Sequence, residues 1–486
     1  MEQNINAKPN LKGYSAKAYI KFIVLSVFGI FAFFVNFPLP DYQISIFGWE
    51  FGAVSANSTM LVTHLTRFIR AALWDGNFRI MPAILWLFGV YCIADLFFIR
   101  PKTFWHTTRV AAVFSIIKII GFVLFTFAAV DYYFGVHPAF LGWLFSGLET
   151  LGGVGIAFFV MDGILIPATI AVTLAAAFLP LLTDYGLVDF FGVFARRFMR
   201  PVFRLPGRAA VIAVGSLLAN FAVGHIAANS QYKTGRMNRR ESIVIATSLT
   251  SGSIGIMLVV AMNTGIMRHW NTYVWTTFLI ILVVTIITSR VYPLSKVPEA
   301  YYEGAVPIPE KEYRSHIMRY SIKEALDTAT GAEHYGKRLT SIMKESIGVL
   351  GTIVAGTGFF TALGVVLFTY TPIFTWIGYI FWPFVRIAVP AYEATTATSA
   401  AALSFLDITL PSLLVATGEW TLRIRYMIAV VPIAAIVFLG TWVPCIMATD
   451  LPVKFSHLVI IWLERMFLSI IFAALFALAL FPAGAV

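Results

Sequence analysis

Apolar runs long enough to cross a bilayer as a helix, about 18 residues, recur along the 486-residue chain. They predict nine spans, at 22–37, 81–98, 110–130, 160–182, 241–262, 272–289, 347–369, 426–448 and 458–480. The expected fold class is an all-α polytopic membrane protein. Between the spans, 60–73 mixes charged with apolar positions and reads as an amphipathic helix at the outer face. Residues 140–159, rich in glycine with Glu149 at the centre, read as a short peripheral or re-entrant helix. Residues 190–208 interleave Arg196, Arg197, Arg200, Arg204 and Arg208 with Phe191, Phe194, Phe198 and Phe203, as an interfacial arm does.

Two stretches do not fit a simple crossing. Residues 209–228 are apolar, yet basic clusters flank both ends: Arg200, Arg204 and Arg208 before, Lys233, Arg236, Arg239 and Arg240 after. Cationic flanks stay cytoplasmic. Keeping both there requires a segment that enters, turns near Asn220 and leaves, a re-entrant hairpin at 208–232. Irregular backbone at membrane depth survives only against protein or a water-filled cavity, so such a tip implies a polar site. A related hairpin is expected at 391–419. Pro201, Arg204, Pro206 and Arg240 have counterparts there in Pro383, Arg386, Pro390 and Arg425, and the intervals from the second proline to the last arginine differ by one residue.

Each half thus holds a span, an arm, a hairpin and two more spans. Three full crossings per half is odd, so the halves face opposite ways as an inverted-topology repeat. The chain divides into N-terminal spans and interfacial helices at 1–159, a first repeat at 160–289, a cytoplasmic linker at 290–345 and a second repeat at 346–482. Within 241–262, Thr247, Ser248, Thr250, Ser251 and Ser253 crowd the midpoint beside Gly252 and Gly255. Such a run is costly in hydrocarbon unless the helix is broken and its freed groups face a ligand or another helix. A discontinuous helix is expected.

Composition narrows the function. The chain is 59% hydrophobic and 12% charged, and its formal charge of +11 resides in short loops. That charge orients the spans and is no argument for nucleic acid. Lys8, Lys12 and Lys17 place the N-terminus in the cytoplasm of a bacterial inner membrane, and the first span, without a cleavage site after it, is expected to be retained. Cys92 and Cys445 lie in apolar segments and offer neither a disulfide framework nor zinc spacing. The stretch from Gly331 to Lys337 imitates a phosphate loop, but Arg338 stands where Ser or Thr must bind magnesium, and no strand precedes it. Neither His-Glu-x-x-His nor Gly-x-Ser-x-Gly occurs. The expectation is a non-enzyme without a cofactor or bound metal.

Inverted repeats with interrupted helices bind substrate near the bilayer midplane, where the repeats meet. The candidate substrate-binding residues are Ser216, Asn220, His225, Asn229, Thr250, Ser251 and Ser253 from the first repeat. From the second they are Glu393, Thr395, Thr396, Thr398, Ser399, Ser404 and Asp407. Glu393 and Asp407 stand out, because an intramembrane carboxylate is costly and either bonds substrate or carries a coupling proton or Na⁺. Asp95, Asp162 and Glu464 lie near span ends and read as interfacial, and Lys118 as a snorkelling side chain. The expected function is secondary active transport of a small polar solute, coupled to protons or Na⁺, by alternating access through the two hairpins. The alternative is a non-transporting membrane interaction or assembly protein acting through 290–345. A homo-oligomer is one option for its assembly.

The Arg-Pro-x-x-Arg-x-Pro-Gly entry at 200–207 and the Thr-Gly-Arg-Met-Asn-Arg-Arg-Glu-Ser exit at 234–242 resemble the nucleoside-recognition or Gate domain. That domain is shared by concentrative nucleoside transporters, the ferrous-iron transporter FeoB and spore-maturation membrane proteins. From about residue 141 onward the chain is most similar to YjiH-like membrane proteins, in which two Gate-type units occur together. The resemblance implies transport of a small polar solute, with nucleosides one option. FeoB's GTPase domain has no counterpart here, which speaks against iron.

Overall fold

The computed structural model describes residues 11–482 except 12, 47–48, 55–56, 76–78, 100–108, 148–153, 179, 219–220, 251, 308–315, 417 and 448. Among the described residues, eight helices are long and apolar enough to cross a membrane: Ala16–Phe34, Met81–Ile99, Ala112–Phe134, Ile156–Leu174, Arg239–Asn263, Ile266–Thr288, Tyr335–Tyr370 and Phe455–Leu480. The ninth expected span, 426–448, is not continuous. It consists of Leu422–Ala435 and Trp442–Met447, separated by non-helical backbone. Pro432 inside the first piece has no N–H to give the helix, and Ile436 follows at φ 61°, a conformation a β-branched residue rarely adopts.

The N-terminal region departs from the all-helical expectation. Asn36–Leu39 pairs antiparallel with Asn57–Met60, and Tyr42–Ile46 with Trp49–Val54. Tyr42, Ile44 and Ile46 recur at the strand period of two, a signal that the scattered charges at Asp41 and Glu50 obscure. The amphipathic helix forms as Leu61–Arg70, extended by the π-helical turn Ala71–Asp75. It does more than lie at an interface: Val62, Thr63, His64 and Thr66 are buried. Arg70 Nη2 and Trp74 Nε1 both donate to Asp162 Oδ1, at 2.8 and 2.6 Å, and this ties the helix to the start of the fourth crossing. That crossing begins at Ile156, inside the segment expected to be a separate short helix; Glu149 lies outside the described residues.

The linker after the first half holds the helix Ile317–Gly331, and Tyr335–Thr352 runs on into the next crossing. Thr328 Oγ1 donates to Asp189 Oδ2 at 2.7 Å, fastening the linker helix to the arm Leu187–Phe198. Tyr14 bonds Asp327, and Lys21 Nζ donates to the Ala332 carbonyl at 2.8 Å. The N-terminal segment, the arm and the linker therefore share one side of the molecule.

In each stretch expected to hold a hairpin, two successive helices pack against each other. Arg208–Leu218 and Phe221–Lys233 are successive helices, and a Cβ built on Gly224 would lie 2.7 Å from the Ser216 Cβ. In a straight helix eight residues would separate these positions by about 12 Å, so the two helices lie against each other instead of running on in line. The second hairpin is Ala391–Ala402, a 3₁₀ turn at Leu403–Phe405, and Leu410–Ala416. Its open end is closed by Thr421 Oγ1 donating to Glu393 Oε2 at 3.0 Å. In each half the order is arm, hairpin, interrupted helix, long helix.

A candidate solute site at two helix interruptions

The first interrupted helix starts from a capping box. The Asn238 side chain accepts from Glu241 N at 2.8 Å, and Glu241 Oε2 accepts from Asn238 N at 2.9 Å; this is the structural use of the Asn-Arg-Arg-Glu exit. The helix continues through the π-helical turn Ile245–Leu249 and stops. It restarts at Ile254, where Ser253 Oγ accepts from Ile256 N at 3.4 Å. The last carbonyls of any helix lack intrahelical partners. Here Thr250 Oγ1 donates to the Ala246 carbonyl, with His225 Nε2 3.2 Å from the same oxygen. Ser216 Oγ, which donates to the Ala213 carbonyl of its own helix at 3.0 Å, also lies 3.3 Å from the Leu249 carbonyl, and Thr285 Oγ1 donates to the Ser248 carbonyl at 3.0 Å. Ser216 and His225 belong to the first hairpin, which is thereby seated on the first interruption.

At the second interruption, Ile436 N donates to the Pro432 carbonyl at 3.0 Å and Val437 N to that of Ala435 at 2.8 Å. The Ala434 carbonyl accepts from Arg465 Nε at 3.1 Å and Nη2 at 2.7 Å. The tip of the second hairpin bonds the gap directly, with Leu439 N donating to the Phe405 carbonyl at 2.8 Å and Gly440 N to that of Leu406 at 3.0 Å. Asp407, 1% exposed, sits at this junction. Its Oδ1 accepts from Thr409 N at 2.8 Å and from the Thr409 hydroxyl. Its Oδ2 faces Gly440, where an added Cβ would lie 3.2 Å away. A side chain there would push the hairpin tip back by a few tenths of an ångström.

The two interruptions adjoin one another. A Cβ on Gly252 would meet Ile433 Cδ1 at 3.1 Å and Ile408 Cδ1 at 3.4 Å, and Asn263 Nδ2 donates to Ser412 Oγ at 3.1 Å. Aromatic rings join the first hairpin to the second gap: Phe221 meets Phe438 with centroids 5.6 Å apart, and His225 meets Trp442 at 4.8 Å. At this junction His225 Nδ1, Trp442 Nε1 and Ser404 Oγ are buried polar atoms without a protein partner, whereas buried polar groups ordinarily have one.

The expected residues thus divide. Ser216, His225, Thr250, Ser253 and Asp407 cluster at the interruptions, and Ser404 adjoins the second hairpin tip. Asn220 and Ser251 lie outside the described residues. Thr398 and Ser399 return their hydroxyls to their own helix, at 2.9 Å to Ala394 O and 2.8 Å to Thr395 O. The Thr398–Ser399 backbone packs against Gly378 of the second arm, which begins with the helix Ile373–Tyr379. Thr395 accepts from Trp382 Nε1 at 3.2 Å, and Thr396 is half-buried. Glu393 closes the open end of the second hairpin, away from its tip. Asn229 closes the open end of the first: its Nδ2 donates to Asp450 Oδ2 at 3.1 Å beside Lys233 Nζ at 2.9 Å. The Lys233 hydrogen bond, then that from Asn229, holds the Asp450 carboxyl below its ordinary range.

Sequence reasoning passed over Arg465, Thr285, Phe438, Gly440 and Trp442. For Arg465 a signal was available: it is the eleventh residue of a 26-residue apolar helix, about 15 Å from its start and so near the middle of the roughly 30 Å hydrocarbon layer; its neighbour Glu464, expected near a span end, is equally deep in this helix. A charge there is a functional hypothesis by default.

Fold and site together define a polytopic α-helical membrane protein built on two hairpins and two interrupted helices. Residues 165–267 match the family model Gate, described as nucleoside recognition; the match runs through the first arm, hairpin and interrupted helix. The chain is 27% identical over 469 residues to the uncharacterized protein BpOF4_10220 of Alkalihalophilus pseudofirmus, covering 93% of this chain and 92% of that one. Solved structures similar to it include a double variant of CNTnw in an outward-facing state, at 12% identity and TM-score 0.38 over 82% of this chain and 99% of that one. CNTnw in an inward-facing substrate-bound state matches at 10% identity and TM-score 0.38, over 86% and 98%.

Proposed function

We propose that this protein is a secondary active transporter of a small polar solute, in which two oppositely oriented hairpins alternately admit the solute to the paired interruptions. One observation carries the reading: two membrane helices break beside each other, and each break is seated by its own hairpin tip. Broken helices that face each other at membrane depth are the arrangement in which transporters expose backbone groups to a substrate. A nucleoside-like solute is the first class to test, because the match over 165–267 carries that description. Asp407, buried at the second gap, is the site we assign to a coupling proton or Na⁺.

The test is uptake of radiolabelled nucleosides, nucleobases and amino acids by proteoliposomes, with Na⁺ and pH gradients imposed separately. The expected result is gradient-dependent accumulation of one solute class by the wild type and its loss in Asp407→Asn. Absence of accumulation for every solute under both gradients would favour the membrane-assembly reading.

A further inference from the structure

Arg465 is completely buried within the long helix Phe455–Leu480, and among the described residues no carboxylate pairs with it. A desolvated cation without an anion is expensive, so its presence calls for a use. Two of its nitrogens converge on the Ala434 carbonyl, left open by the second interruption. The third, Nη1, reaches Thr285 Oγ1 at 3.3 Å. That hydroxyl has one proton, and it spends it on the Ser248 carbonyl at the first interruption, at 3.0 Å. A continuous hydrogen-bonded chain therefore runs from one break to the other, from Ser248 O through Thr285 and the guanidinium to Ala434 O. The planar fork of arginine can address two acceptors at once, whereas a lysine ammonium acts as a point charge.

We propose that Arg465 is a positioning residue that pins the two helix interruptions in register through Thr285, so that the backbone groups of both breaks face the solute together. This rests on the transport reading for its purpose, and its geometry can be tested without it. Arg465→Gln and Thr285→Val in the full chain, in lipid nanodiscs, are compared with wild type by amide hydrogen exchange at 245–253 and 432–441. Arg465 touches only the second break directly, and Thr285 only the first. The pin therefore requires each variant to speed exchange at the break it does not touch, on the order of tenfold, while Thr285→Ser, which keeps the hydroxyl, behaves as wild type.

In uptake, both variants are expected to lose about tenfold in rate. Exchange that rises only at the break each residue contacts would reduce Arg465 to a local cap and overturn the proposal. Should Arg465→Gln fail to fold, Thr285→Val, which removes a single hydroxyl, decides the matter at 432–441. A wild type that accumulates no solute but shows the paired exchange response would refute transport and keep the pin. Uptake by the wild type with an unpaired response would do the reverse.

Discussion

The two interruptions solve one physical problem by different means. Both strand helix-terminal carbonyls inside the protein, where an unpaired polar group is costly. The first is served mainly by hydroxyls: Thr250 on Ala246, Thr285 from the following long helix on Ser248, and Ser253 capping the restart. The second has no hydroxyl run. It relies on its own tightened backbone, on the main chain of a hairpin tip and on a cation thirty residues downstream. The first break is consequently marked by hydroxyls in its own sequence, whereas nothing local marks the second.

That contrast predicts unequal tolerance. The largest effect is expected at Gly440: a side chain there meets Asp407 Oδ2 and the Leu406 carbonyl at 3.2 and 3.4 Å, groups held in place by the hairpin tip. Gly440→Val should destabilise by about 1–3 kcal/mol through overpacking and abolish uptake, as read by thermal unfolding and proteoliposome assay. Gly252→Ala at the first break meets only the methyl ends of Ile433 and Ile408, which can yield, and its cost should be clearly smaller. Equal costs at the two glycines would erase the distinction.

Next in size is Thr250→Val. It removes one hydroxyl from the Ala246 carbonyl while His225 Nε2 stays within reach, so a loss of about 1 kcal/mol is expected in the same unfolding measurement. A loss several times larger would mean that the local hydroxyls cannot substitute for one another.

The smallest effect lies at the open end of the first hairpin. The folded Asp450 carboxyl is held low, so its contribution is present above the ordinary carboxylate range and fades as the pH falls through the folded value. Lys233 is held high by the same contact, and its share fades only in alkali, above the usual lysine range. Because the pair is solvent-screened, Asp450→Asn should shift the unfolding temperature barely measurably at neutral pH, and not at all in acid. A large neutral-pH shift would place the hairpin's anchor at its open end instead of at the break.

Legibility followed the same division. The apolar runs and the hydroxyl-marked first break could be read because each is encoded within about thirty contiguous residues. The second break could not: residues 436–441 read as an ordinary apolar stretch, and Pro432 and Gly440 acquire meaning only once Asp407 and Arg465 are beside them in space. The hydroxyls of Thr398 and Ser399 misdirect for a related reason. On a helix, Ser and Thr readily return their protons to the preceding turn, as these two do, and composition cannot distinguish that use from a ligand contact. The ribbons at 36–60 were hidden by charges that interrupt a short strand alternation.

The central claim is that the two hairpins enter the bilayer from opposite faces and meet at the paired interruptions. Single cysteines at Ser230 and Glu419, each exposed at the open end of its hairpin, can be introduced into a cysteine-free background and challenged with a membrane-impermeant maleimide on sealed, oriented vesicles. The account predicts that Ser230→Cys reacts only from the cytoplasmic side and Glu419→Cys only from the other. Labelling of both from one face would contradict it.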